Sequence, residues 1–112
     1  MVARQANRRF LELMREKKTA LDRLCAECGV QQLFLFGSAV SAHFDPETSD
    51  LDFLVVFKPA TPARRVEQYF GLREGLEALF GLPVDLVEAS PINNPYLLAE
   101  IEQTRVPLYN AA

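Results

Sequence analysis

The sequence predicts an α/β or α+β domain: a small mixed β-sheet covered by helices. Three observations lead there. Apolar residues recur at helical spacing through the first quarter of the chain; two runs of six and seven residues rich in Phe, Leu and Val have the length and composition of strands; and a longer amphipathic segment lies between two capping signals. With 112 residues, almost half of them hydrophobic, the chain can build one core but not a second, so residues 1–112 are read as a single domain.

Over about 3–28, the residues Phe10, Met14, Leu21, Leu24, Cys25 and Cys28 recur with Arg, Lys and Glu between them, and Gly29 supplies a stop. The spacing predicts one long amphipathic helix, with a break inside it left open, whose first turns are too polar to pack well. The core begins at about 31 and runs to about 109. Residues 31–36 form an apolar run ending at Gly37, residues 51–57 form a longer one, and both predict strands. Between them 40–49, with Asp45-Pro46 and several small polar side chains, predicts a loop.

Thr61-Pro62 is an N-cap followed by proline at the first helical position, and Gly81 is the matching stop. Val66, Tyr69, Phe70, Leu72, Leu76, Leu79 and Phe80 make the apolar face of the helix between them. Residues 83–88 predict a third strand, and Asn94-Pro95 caps a helix to about 103. Residues 106–109 predict a last short strand, which Pro107 confines to a sheet edge.

Composition excludes several classes of function. The net charge is −3, and the densest basic cluster, Arg8-Arg9, Arg15 and Lys17-Lys18, is balanced by Glu12 and Glu16, so direct nucleic-acid binding is not expected. No apolar stretch approaches the roughly 20 residues that span a bilayer, and the N-terminal residues lack the apolar block of a signal peptide. A cytoplasmic location without membrane contact is expected. Cys25 and Cys28 share an apolar helical stripe with Leu21 and Leu24, and no second cysteine pair completes a zinc site. Buried free thiols are the preferred reading, with a redox or metal role as the alternative.

The chemistry is concentrated around the two central strands. Alternation puts Asp50 and Asp52 on one face with Leu54 and Val56, and Leu51, Phe53, Val55 and Phe57 on the other. Their Cα atoms are then roughly 7 Å apart, and two charges at that distance repel by about 2 kcal/mol at an effective dielectric near 20, a cost that a shared divalent cation reverses. Hard oxygen ligands in a pair suit Mg2+ or Mn2+. Asp85 lies inside Val84-Asp85-Leu86-Val87, a run so apolar that an unpaired carboxylate there is expected to be costly, which suggests a third acid beside the first two. An ion pair, or a solvated position at a strand end, explains Asp85 equally well. Ahead of the acids, an apolar strand feeds Gly37-Ser38, where glycine lets a phosphate approach the backbone and the serine hydroxyl adds a bond. By itself Gly-Ser is an ordinary turn, and no Walker sequence occurs.

Taken together, Phe36-Gly37-Ser38, Ser49-Asp50-Leu51-Asp52 and Val84-Asp85-Leu86-Val87 resemble the signature of the polymerase-β-type nucleotidyltransferase superfamily, and within it the minimal nucleotidyltransferases. The likeness covers about 31–109, including Asn94-Pro95-Tyr96 and Val106-Pro107-Leu108-Tyr109. It implies the nucleotidyltransferase fold, with Gly37 and Ser38 binding the triphosphate of ATP and Asp50 and Asp52 ligating Mg2+, two ions in all. Asp85 would complete the metal cluster and help deprotonate the attacking hydroxyl. It also implies an all-helical partner of the HEPN class, with which many such domains form toxin-antitoxin pairs. The family often has one residue and then Ala-Arg-Gly after the Gly-Ser, whereas this chain has Ala39-Val40-Ser41-Ala42, so that arginine is missing. Lys58, Arg64 and Arg65 are candidates to replace its charge, although a solvated surface position explains each. His43 is read as a solvated loop residue.

The leading expectation is transfer of AMP from ATP to an acceptor hydroxyl, by resemblance a tyrosine of the HEPN-type partner. A small-molecule acceptor is disfavoured because no second domain fits in the chain. The alternative from another class is a catalytically silent antitoxin or binding module acting by direct contact. A homodimer is left open.

Overall fold

The computed structural model describes residues 8–37, 50–89, 99 and 105–111. The predicted N-terminal helix is two segments, α1 (Arg8–Glu16) and α2 (Lys18–Glu27), interrupted at Lys17, whose φ and ψ are −94° and 3°. Backbone bonds cross the interruption, from Lys17 N–H to the Leu13 carbonyl (3.0 Å) and from Leu21 N–H to the Lys17 carbonyl (2.8 Å), so the break is a kink and not a loop. Met14, Leu21 and Cys25 form the buried stripe. The first turns of the predicted helix, up to residue 7, lie outside the described residues, as does the helix expected over 94–103 apart from Ala99, which is helical.

Four strands follow the predicted order: β1 (Val30–Phe36), β2 (Leu51–Phe57), β3 (Val84–Glu88) and β4 (Val106–Asn110). They form one sheet in the order β3-β2-β1-β4, with β1 antiparallel to both β2 and β4, and β2 parallel to β3. Parallel neighbours need a crossover, and α3 (Pro62–Phe80) provides it between β2 and β3. Thr61 caps α3 by accepting the Arg64 N–H at 3.2 Å, Pro62 occupies the first turn, and Gly81 closes the helix at φ 67° with its N–H on the Glu77 carbonyl. The capping signals in the sequence therefore act as read.

α2 and α3 cover one face of the sheet. Leu33 and Leu35 of β1, Leu51, Phe53 and Val55 of β2, and Val84 and Leu86 of β3 are buried there against Leu21, Cys25, Leu72, Leu76 and Phe80. The rings of Phe53 and Phe80 stack at 6.0 Å. The two helices pack closely: a Cβ placed on Gly75 would lie 2.5 Å from Leu24 Cδ1. Val66 and Phe70, assigned by spacing to the apolar face of α3, are instead 56% and 49% exposed. They sit on the flank of the arc defined by Leu72, Leu76 and Phe80, because the apolar stripe is wider than the strip of helix that meets the sheet.

Both sheet edges are protected. Along β3 the Tyr69 hydroxyl donates to the Leu86 carbonyl (2.6 Å) and Glu77 accepts the Val84 N–H (3.2 Å), while β4 carries Pro107, as edge strands do. The Lys18 ammonium donates to the Leu108 carbonyl at 2.8 Å, tying α2 to β4. Among the described residues no helix is long and apolar enough to cross a membrane. Both cysteines are free; burial, the nearby Asp22 and Cys28 push the Cys25 thiol up to about 12 against a smaller opposing effect of Lys18, and burial also raises that of Cys28. The preference for buried free thiols fits Cys25, while Cys28 is only partly buried.

Candidate functional site

The strand alternation that buries Phe53 and Val55 turns Asp52 and Leu54 to the opposite face of the sheet. Pairing then fixes their neighbours. Phe36 lies opposite Asp52 and Phe34 opposite Leu54 on β1, while Asp85 lies beside Asp52 and Val87 beside Leu54 on β3. This second face therefore has two zones. Phe36 and Leu54, with Phe34, Val87 and Ala89 packed against them, form a small apolar cluster, and the two carboxylates sit at the end of the sheet where β1 finishes and β2 begins.

Adjacent strands are about 4.8 Å apart, so at an effective dielectric near 20 two charges at the Asp52 and Asp85 positions repel by about 3 kcal/mol. Asp85 is exposed, contrary to the desolvation that its apolar neighbours predict. β3 is an edge strand with Val84 and Leu86 facing the main core and Val87 the small cluster. Its apolar run reflects those two packings and does not bury the carboxylate. What joins Asp85 to Asp52 is register, not desolvation. Asp50 is exposed immediately before β2.

Gly37 ends β1 at φ 76°, a region that L side chains avoid. A Cβ there would also lie 2.5 Å from Asp52 Oδ2, so glycine is required both for the backbone turn and for the close approach of the carboxylate. The structure thus brings Gly37, Asp52 and Asp85 together. Ser38 and His43 lie outside the described residues.

The cations proposed from the sequence are placed elsewhere. α3 packs on the far face, where Arg64 pairs with Glu67 at 3.8 Å and Arg65 binds Glu88 at 2.5 Å with its guanidinium 5.5 Å from the Phe57 ring centroid. Lys58 follows the opposite end of β2, about 20 Å along the strand from Asp52 at 3.3 Å per residue. None of the three meets the acids. Arg105, which the sequence reading passed over, lies instead on the acid-bearing face with its guanidinium 5.3 Å from the Phe34 ring centroid. Its only local signal is that it directly precedes the last strand; its place depends on which strand β4 pairs with.

Among the described residues, no three His, Cys, Asp or Glu side chains converge closely enough to hold a metal ion by themselves. Two carboxylates in register, one of them in close approach to Gly37, are nevertheless a suitable donor set for Mg2+, which is commonly held by one or two carboxylates together with phosphate oxygens and water. Such an arrangement can gather a metal-bound polyphosphate.

Residues 17–108 match the nucleotidyltransferase domain family. A Methanocaldococcus jannaschii protein named "Putative protein adenylyltransferase MJ1379" is 36% identical over 74 residues, covering 66% of this chain and 72% of that protein. A solved structure described as a "putative minimal nucleotidyltransferase" is 34% identical and superposes with a TM-score of 0.68 over 88% of this chain and 95% of its own. The fold is also that of a Shewanella oneidensis complex, a tri-AMPylated HEPN toxin with its MNT antitoxin, at a TM-score of 0.60 and 18% identity over 88% of this chain and 73% of that one.

Proposed function

The chain belongs to the nucleotidyltransferase domain family, and from that premise we propose that it transfers AMP from ATP to a hydroxyl group on a protein. The observation that carries this reading is the register pair Asp52 and Asp85 beside Gly37. The name of the M. jannaschii relative supports a protein acceptor, and the AMPylated toxin in the Shewanella complex supports a HEPN-type helical partner, with a tyrosine as the proposed acceptor. The role is then that of an antitoxin. Val66 and Phe70 supply exposed apolar surface for such a partner.

In the proposed reaction the acceptor oxygen bonds to the α-phosphorus as the bond to the bridging oxygen of pyrophosphate breaks, and pyrophosphate departs in line with the attack. Mg2+, proposed as two ions, would draw off the charge that develops on the transferred and departing phosphates. Asp50 and Asp52 would hold the metal, Asp85 would complete its shell and receive the hydroxyl proton, and Gly37 and Ser38 would hold the triphosphate. Asp50 and Asp52 act by position and charge and Asp85 also as a base, and none of them bonds to phosphorus.

A second reading, a silent module acting by contact alone, draws on one observation: Ala39-Val40-Ser41-Ala42 offers no cation after the Gly-Ser. Titration of the full chain with ATP, with and without Mg2+, separates the two. The transferase reading expects Mg2+-dependent binding that disappears in Asp50→Asn/Asp52→Asn, and incorporation of label from α-labelled ATP into a helical partner. Absence of ATP binding by the folded wild-type chain overturns it in favour of the contact module.

A further inference from the structure

We propose that Arg105 is a phosphate-binding residue of this site, holding the leaving-group end of the nucleoside triphosphate. The inference rests on the nucleotidyl-transfer reading above and identifies a cation that the loop after Gly37 does not provide.

Its first support is register. Val106 pairs with Leu35 and Pro107 with Phe34 in the antiparallel β1–β4 ladder, so the next step places Arg105 opposite Phe36. Phe36 is opposite Asp52, and Asp52 is beside Asp85. Asp85, Asp52, Phe36 and Arg105 therefore form a row across the end of the sheet, one residue from each of β3, β2 and β1 and the last just ahead of β4. Two strand spacings, about 10 Å, separate Arg105 from Asp52.

The side chain points to the right face. Its guanidinium lies against the Phe34 ring at 5.3 Å, and Phe34 belongs to the cluster on the acid-bearing side. The ring limits the conformations of a long side chain and keeps the cation above the sheet, which lowers the ordering cost of binding an anion. Among the described residues no carboxylate forms an ion pair with Arg105.

Direction supplies the third support. In-line displacement puts the attacking and leaving oxygens on opposite sides of the α-phosphorus. With the proton acceptor Asp85 on the outermost strand of one side, pyrophosphate departs toward the other, past Gly37 and over β1 to β4. That path carries increasing negative charge. Of the two cations within or next to the strands, Lys58 and Arg105, only Arg105 is at this end of the sheet. A planar guanidinium with several donors suits two phosphate oxygens at once.

The test is calorimetric titration of the full chain with ATP and, separately, AMP, both with Mg2+, for wild type, Arg105→Gln and Arg105→Lys, after thermal melting shows that the variants fold. The expected result is about a tenfold loss of ATP affinity in Arg105→Gln, AMP affinity within twofold of wild type, and an intermediate value for Arg105→Lys. Unchanged ATP affinity in Arg105→Gln, or an equal loss for ATP and AMP, overturns the assignment while leaving the transferase reading in place. Failure of wild type itself to bind ATP overturns that reading, and this inference with it.

Discussion

The two faces of the sheet are made from the same strands and serve different ends. On the helix-covered face Leu33, Leu35, Phe53 and Val55 are fully buried, and the titratable strand residues of that face, Glu88 and Tyr109, stand on the edge strands β3 and β4. On the other face the same strands present Phe34, Phe36, Asp52 and Leu54, a small apolar patch with a carboxylate at its end. A two-residue period lets neighbouring positions carry unrelated duties: Phe53 holds the fold, and Asp52 beside it stands in the candidate site. The faces should therefore respond to substitution in separable ways.

The largest effect is expected from the covered face. Phe53→Ala removes a fully buried ring stacked on Phe80 and should lower unfolding free energy by about 3–5 kcal/mol in denaturant titration. A loss below about 1 kcal/mol would break the assignment of stability to that face. Asp52→Asn is the mirror test. Transfer from labelled ATP should fall at least about a hundredfold, near 3 kcal/mol of transition-state stabilisation, while stability changes by less than about 1 kcal/mol because a repulsion with Asp85 is relieved. A variant that unfolded would show that the acids are structural.

Gly37→Ala is expected to affect both properties. The φ of 76° and the 2.5 Å approach to Asp52 Oδ2 predict a stability loss of roughly 1–3 kcal/mol together with weakened ATP binding. Arg65→Ala, far from the acids, should cost about 1 kcal/mol through loss of the half-buried Glu88 pair and the Phe57 contact, with ATP affinity unchanged. At neutral pH the smallest effect is that of the Cys25 thiol, which shows only as pH rises. With the Cys25 thiol pushed up to about 12 in the folded chain and near 8.5 when unfolded, only the unfolded form loses its proton as pH climbs past about 8.5. Stability should be flat in this respect below that pH and decline above it, and Cys25→Ala should reduce the slope in melts from pH 7 to 10.5.

Much of the framework was readable because its signals are local. Thr61-Pro62 and Gly81 bound α3 as expected, the run 51–57 is β2 without adjustment, and Pro107 lies in an edge strand. The kink at Lys17 has no proline or glycine to announce it. Within the candidate site, the strand-turn and strand-start patterns single out Gly37 and Asp52, and the structure brings these two into contact. The neighbour relation between Asp52 and Asp85 depends on a parallel register across a helical crossover, which no local pattern encodes. Asp85 stands out in the sequence by its apolar neighbours, but its exposure shows that they do not bury it. Arg105 was missed because its neighbours are set by β4 pairing with β1, about 70 residues earlier in the sequence.

The row across the sheet end has a consequence for folding. Its members, Phe36, Asp52, Asp85 and Arg105, come from four distant stretches of the chain and become neighbours only when each strand has docked in register. A hairpin of β1 and β2 has one acid; adding α3 and β3 brings the second; only the arrival of β4 adds the arginine. Completion of the sheet and completion of the row are the same event, so a ligand bridging the whole row selects the finished fold over every partly assembled one.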